Sequence, residues 1–283
     1  MMENAMKFKR VSSSKEIKSM LKVDFRRMFK SKLFYILLLC ALVMPVLMTV
    51  MMTMMDGSVS VDPQTGVETV IHGPENAWQS IGTLPTDDVV HGENTGGDAA
   101  AMMGGMDIMS MCNINMMFML VSVFICLFIS DDFRSGYAKN LFTVRAKKGS
   151  YVVSKTIAGF VCGALMLILY FIGSMLGGAI SGLSFDLGTL SIANIVMCMI
   201  AKVLLMLVFV PIFVLVSVGS KQKAWLAICG SLGAGMLLFM MVGMITPLNS
   251  TIMHIVMCLA GGAMFSIGLG ACSKQVLNKT SLV

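Results

Sequence analysis

"DDFRSGYAKNLFTVRAKKGSYVVSKT", residues 131–156, is a polar segment with six Lys or Arg residues, set between two long apolar runs. Its reading decides the fold, because the runs on either side are nearly free of charge for 20 or more residues. That length is enough to cross a hydrocarbon core about 30 Å thick. Working outward from this segment gives six predicted spans, at about 33–55, 108–130, 156–180, 192–218, 224–245 and 252–271. The expected fold class is an all-α membrane protein with six transmembrane helices. It adds an N-terminal amphipathic helix in the membrane interface and a small extracytoplasmic segment containing a β-hairpin.

Composition supports this. Of 283 residues, 57% are hydrophobic and 13% charged, whereas a soluble domain carries about 25% charged residues. The cations are concentrated at membrane entry points. Residues 1–32 hold ten Lys or Arg, while residues 56–107 hold none and carry nine Asp or Glu. By the positive-inside rule, residues 1–32, 131–155 and 273–283 face the cytoplasm and 56–107 faces out. The expected organisation is therefore a cytoplasmic amphipathic segment (1–32), a six-span domain (33–272) with an outer insertion (56–107) and a cytoplasmic loop (131–155), and a cytoplasmic tail (273–283). Charge distributed this way forms no basic face for nucleic acid. The polar or amphipathic first 32 residues do not read as a signal peptide. Six of the eight cysteines fall inside apolar runs and behave as small hydrophobes.

Within 1–32, Ser13 followed by Glu16 reads as a capping box. Ile17, Met20, Leu21, Phe25, Met28 and Phe29 fall on one face at helical spacing, as in a helix lying along a membrane surface. In the outer insertion, "SVSVDPQTGVETVI" alternates around a Pro-Gln-Thr-Gly turn and predicts a hairpin. "PENAWQSI" suggests one or two helical turns. The insertion is too small for a core of its own and is expected to pack on the span mouths. Small residues recur at four-residue spacing at Gly159/Gly163, Gly173/Gly177, Gly178/Gly182 and Ser231/Gly235, which permits close helix packing. The Ser231/Gly235 pair could serve a subunit interface instead.

The chain shows no catalytic constellation. It has no Gly-Lys dipeptide and so no phosphate-binding loop, no HExxH and no G-x-S-x-G. It is expected not to be an enzyme, to bind no metal and to carry no cofactor of its own. The one charge deep inside a span is Lys202. A cation there needs water, a partner or a cavity, and Asp107 and His254 are candidate partners. Lys202, Asn113, Asn115 and Asn194 are the candidate residues of a translocation path. Pro211 removes a backbone donor in the same span. Met48, Met51, Met52, Met54 and Met55 end the first span, and Met102, Met103, Met106, Met109 and Met111 open the second. These clusters read as apolar filling, as a pliable substrate surface, or as soft ligands for Cu(I) at the outer face.

The segment at 131–156 resembles the cytoplasmic loop of type-2 ATP-binding-cassette (ABC) exporter permeases. In that pattern an acidic residue follows a span, then come a Gly-centred turn, a Leu-Leu-Thr-like segment, an Arg and a Lys. Asp131 or Asp132 stands at the acidic place and Gly136 at the glycine. Asn140, Leu141, Phe142 and Thr143 stand in the next segment, followed by Arg145 and Lys155. The family's usual Glu and Thr are replaced by Asp and Tyr137. The resemblance implies a coupling helix at about 135–143, with Asp131, Asp132, Arg134, Gly136, Tyr137, Asn140, Leu141, Phe142, Thr143 and Arg145 serving ATPase coupling. It also implies a partner ABC ATPase subunit that carries ATP and Mg, and a second permease subunit, in a homodimer or heterodimer embedded in membrane lipid. The function it implies is ATP-driven export of an amphipathic or hydrophobic substrate (a peptide, drug or lipid) across a plasma membrane, with both termini cytoplasmic. A non-ABC polytopic carrier or scaffold is the alternative; the absence of carboxylates inside the spans argues against an ion-driven carrier.

Overall fold

The computed structural model describes residues 13–61, 68–70, 73–74, 76–82, 113–143, 147–188, 190–220 and 223–279. In chain order these form α1 (Ser13–Lys30), α2 (Lys32–Met54), the strands β1 (Val59–Val61) and β2 (Glu68–Val70), and two 3-10 turns (Ala77–Ser80 and Ile114–Met116). The helices α3 (Met117–Arg134), α4 (Tyr137–Thr143), α5 (Lys148–Ile180), α6 (Ile192–Ser220), α7 (Ala224–Ile245) and α8 (Ile252–Lys279) follow. Among the described residues, five helical stretches are long and apolar enough to cross a membrane: α2, α3 together with the turn before it (114–134), α5, α6 and α8. The continuously described part of α7, Ala224–Phe239, is a shorter apolar helix.

The apolar surface is what a bilayer requires. Large side chains such as Leu237 (82% exposed), Ile267 (75%) and Met264 (75%) point outward, at no solvation cost where the surroundings are lipid. The interior is formed mainly by α3, α5 and α6, through Phe118, Phe124, Ile125, Met166, Phe209 and Phe213. Around it, α2 packs on α5, α7 on α3, α8 on α6 and α1 on the N-terminal part of α5.

Two helix contacts depend on glycine. A Cβ at Gly173 would collide with the Leu42 carbonyl oxygen and come within 2.7 Å of Pro45 Cγ. One at Gly177 would lie 3.0 Å from Val46 Cα. The small residues of α5 thus let α2 approach to backbone contact. Ser231 and Gly235 also face inward: Ser231 is buried and hydrogen-bonds Cys126 of α3, and Gly235 faces Phe213 and Met119. Their spacing serves packing inside the subunit.

Beyond the C-terminal end of α2, β1 and β2 pair antiparallel, with Val59 opposite Val70. The 77–80 turn is capped by Asn76, whose Oδ1 accepts from Trp78 N at 3.0 Å. Ala77 N donates to Ser184 O at 3.0 Å, and Asn76 Nδ2 donates to Asp186 O. The Ala77 methyl sits over Gly178, where a Cβ would lie 2.6 Å away. This part of the insertion therefore rests on the mouth between α5 and α6.

The helices depart from the predicted spans at three ends. The third begins at Lys148, eight residues before the expected 156, and α8 continues to Lys279. The second opens as a 3-10 turn at Ile114. In α5 the added turns carry Lys148, Tyr151, Ser154 and Lys155, polar residues that a hydropathy reading assigns to a loop but that are paired within the protein and stay helical. The end of α8 is held where Lys148 donates to the Leu277 carbonyl.

Candidate functional site

The C-terminal halves of α1 and α3 and the first turns of α5 converge on one buried cluster of charges. Asp132, in the last turn of α3, has no exposed side-chain surface. Its carboxylate accepts from Tyr151 Oη at 2.9 Å and lies 2.6 Å from Lys155 Nζ, both on α5. It also accepts from Arg27 Nη1 of α1. Lys155 Nζ donates in addition to Asp24 of α1 at 2.8 Å, and Ser154 Oγ donates to the same carboxylate at 2.6 Å. Two buried carboxylates thus share one buried ammonium, and hydroxyls and a guanidinium occupy further acceptor positions. Buried charges persist when paired and hydrogen-bonded in this way.

Aromatic rings close the cluster. Lys155 Nζ lies 3.9 Å from the Phe128 ring centre. The Arg27 guanidinium lies 4.4 Å from the Tyr137 ring centre and 5.6 Å from that of Phe128. Burial acts against the charge on Arg27, but Asp132, Tyr137 and Asp24 more than restore it, so it titrates above its ordinary value. Burial, with Asp24 and Asp132 nearby, pushes the Tyr137 phenol up and keeps it neutral.

The short helix α4 hangs from this cluster. Gly136 makes the turn from α3 with φ +74°, a conformation that costs an L side chain strain. Ala138 is buried, and the Phe142 ring meets Tyr151 edge-on at 5.4 Å. Tyr137, Leu141 and Phe142 are half-buried, whereas Arg134, Lys139, Asn140 and Thr143 are exposed. The helix therefore presents a polar, basic face outward and keeps an aromatic face against α1 and α5.

Further contacts brace the same region. Glu16 Oε1 of α1 accepts from Lys147 N at 2.6 Å, just before α5. The capping-box reading had Glu16 turning back on its own helix. Lys148 Nζ donates to Leu277 O near the end of α8 at 2.7 Å. Beside the cluster, a cavity of about 300 Å³ opens between α3 and the starts of α2 and α7, lined by Ser31, Leu33, Phe124, Phe128, Ser130, Asp131, Arg134 and Ala224, among others. The Ser130 hydroxyl beside it is buried and has no hydrogen-bond partner among the described residues.

The predicted residues divide accordingly. Asp132 is the centre of the cluster, while Asp131 is exposed, 3.5 Å from Arg27 Nη2. Arg145 lies outside the described residues, as do Asp107 and the Met102–Met111 group. Sequence reading missed Asp24, Arg27, Tyr151 and Ser154. Asp24 carried a signal: it falls on the buried face of α1, four residues from both Met20 and Met28.

Lys202 is fully buried, and its partners among the described residues do not include His254; Asp107 lies outside those residues. Its Nζ donates to Asn115 Oδ1 at 2.7 Å and to Thr246 Oγ1 at 3.1 Å. His254 instead engages Thr251, its Nδ1 accepting from Thr251 N at 3.1 Å. Asn113 caps the 3-10 turn, its Oδ1 accepting from Asn115 N at 3.0 Å. Asn194 is half-buried in the first turn of α6. Lys202 and Asn115 therefore meet, and the four candidate path residues do not form one group.

A family model described as "ABC-2 family transporter protein" matches residues 89–232, about half the chain, from the outer insertion through α3, α4, α5 and α6 into α7. The chain belongs to the ABC-2 transporter family and is a multi-pass membrane protein of ABC permease type. No curated protein and no solved structure matches it.

Proposed function

We propose that the chain is the permease subunit of an ATP-driven exporter, coupled through α4 to a separate ATPase chain. The observation that carries this reading is a short helix with an exposed basic face, hung on a buried cluster that joins α1, α3 and α5. A push on α4 reaches α1 and α5 directly, since its Tyr137 touches Arg27 and its Phe142 touches Tyr151, and reaches α3 through the Gly136 turn. The chain itself is not an enzyme; ATP and Mg bind the partner ATPase, and this division of labour accounts for the missing phosphate-binding loop.

In this reading α7 is the sixth span, α1 lies in the cytoplasmic interface, and both termini are cytoplasmic in a plasma membrane. Two permease subunits form the pathway, as a homodimer or heterodimer. The coupling residues are those of 131–143 together with Arg145, and Lys202 with Asn115 belongs to the outer part of the path. The cavity between α2, α3 and α7 has two phenylalanines and charged groups at its rim, which suits an amphipathic peptide, drug or lipid entering from the cytoplasm. The reading is tested by isolating the complex from membranes and measuring ATP hydrolysis with and without Gly136 and Arg27 variants. Loss of ATPase coupling with retained assembly supports it; unchanged coupling in both overturns it.

A further inference from the structure

A second cavity, of about 520 Å³, opens between α5, α6 and α8. Val153, Ile157, Leu207 and Ile267 give it apolar walls, Gly149 and Gly270 keep it open, and Lys274 stands at its end. Its inner end is closed where Ser266 Oγ donates to Leu207 O at 2.8 Å. From Ser266 to Lys274 is eight residues of helix, about 12 Å at ~1.5 Å per residue. Half of a hydrocarbon core is about 15 Å, so the slot has the depth of one leaflet.

Its mouth is positively charged. Lys274 is exposed, its stem lying along Gly149, and Lys148 is anchored beside it on the Leu277 carbonyl. None of the residues lining the slot is a carboxylate. We infer that this groove holds an anionic phospholipid of the inner leaflet, with one acyl chain along Val153, Ile157 and Ile267 and its phosphate on Lys274 and Lys148. The choice of leaflet rests on the cytoplasmic placement of the α4 loop proposed above; the groove and its cations do not. The charge complementarity selects a bound anionic lipid over an acyl chain of any headgroup. The site shares no lining residue with the cavity assigned to substrate, so its lipid is a resident that holds α8 against α5.

The test is native mass spectrometry of the full chain purified in detergent, titrated with phosphatidylglycerol or phosphatidylcholine. The expected result is one phosphatidylglycerol per chain, at least tenfold preferred over phosphatidylcholine. Lys274→Gln should remove the preference. Gly270→Leu, at a position where an added Cβ would meet nothing within 4 Å, should fill the groove and abolish binding of both lipids. Equal binding of the two lipids, no effect of either substitution, or protection of the groove by a second copy of the chain in cross-linking at Ile267 would overturn the proposal. The readout needs neither ATP nor ATPase contact, so its failure is distinct from failure of the coupling role.

Discussion

The carboxylate of Asp132 and the ammonium of Lys155 lie 2.6 Å apart, and neither side chain is more than 1% exposed. Twenty-three residues separate them in sequence, with α4 between. The pair therefore staples the two ends of the α4 loop together and fixes where the loop helix stands. Asp24 ties α1 to the same ammonium.

Removing that ammonium should be costly. Lys155→Met leaves buried Asp24 without its ion-pair partner and Asp132 with Arg27 alone, and breaking a buried pair costs about 3–5 kcal/mol. The purified protein should lose several degrees of thermal stability in detergent. Lys155→Met combined with Asp24→Asn should recover part of the loss, because the stranded charge is gone. A single variant as stable as wild type would contradict the network.

Arg27→Lys should separate stability from coupling. Lysine keeps the charge but loses the planar fork and the stacking on Tyr137. Expected are near-normal expression and a lower ratio of transport to ATP hydrolysis, measured in proteoliposomes.

Gly136 acts through its backbone angle, since a Cβ there would touch nothing within 4 Å. Gly136→Ala should cost about 1–2 kcal/mol of left-handed strain and shift α4. Gly136→Asn, which tolerates that conformation, should retain more coupling. Equal behaviour of the two variants in an ATPase assay would count against a role for the turn.

Gly173→Ala should disrupt the fold, because its methyl would meet the Leu42 carbonyl and Pro45. Gly243→Ala is the control: a Cβ there meets nothing within 4 Å, and alanine is the better helix former by about 1 kcal/mol. Yield and monodispersity in gel filtration should fall for the first and hold for the second.

Lys202→Met should keep the fold, since loss of a buried charge offsets the loss of two hydrogen bonds. Asn115 and Thr246 would no longer be bridged. Hydrogen exchange should then quicken at 114–117 and 242–246. Unchanged exchange there, with unchanged transport, would remove Lys202 from any working role.

Five of the six spans were legible because a long run without charge has few other uses. The ends that flank α4 were not. Lys148, Tyr151 and Lys155 look like loop residues until Asp24 and Asp132 are known to sit opposite them, and those contacts join residues far apart in sequence. Lys202 was found as an oddity, but its partners are neutral groups from two other parts of the chain, which charge pairing cannot identify. The α4 helix was legible through its glycine and its likeness to a known loop. The cluster that holds it was not, beyond Asp132, Tyr137 and Lys155.

The central claim is that the exposed face of α4 is where an ATPase grips this permease. A photo-crosslinking residue at Asn140, which is exposed on α4, tests it most directly in native membranes. The account predicts a crosslink to a P-loop ATPase, with a yield that changes when ATP is added. An ATPase that co-purifies but is never captured from Asn140, while crosslinks form from another cytoplasmic surface, would contradict it.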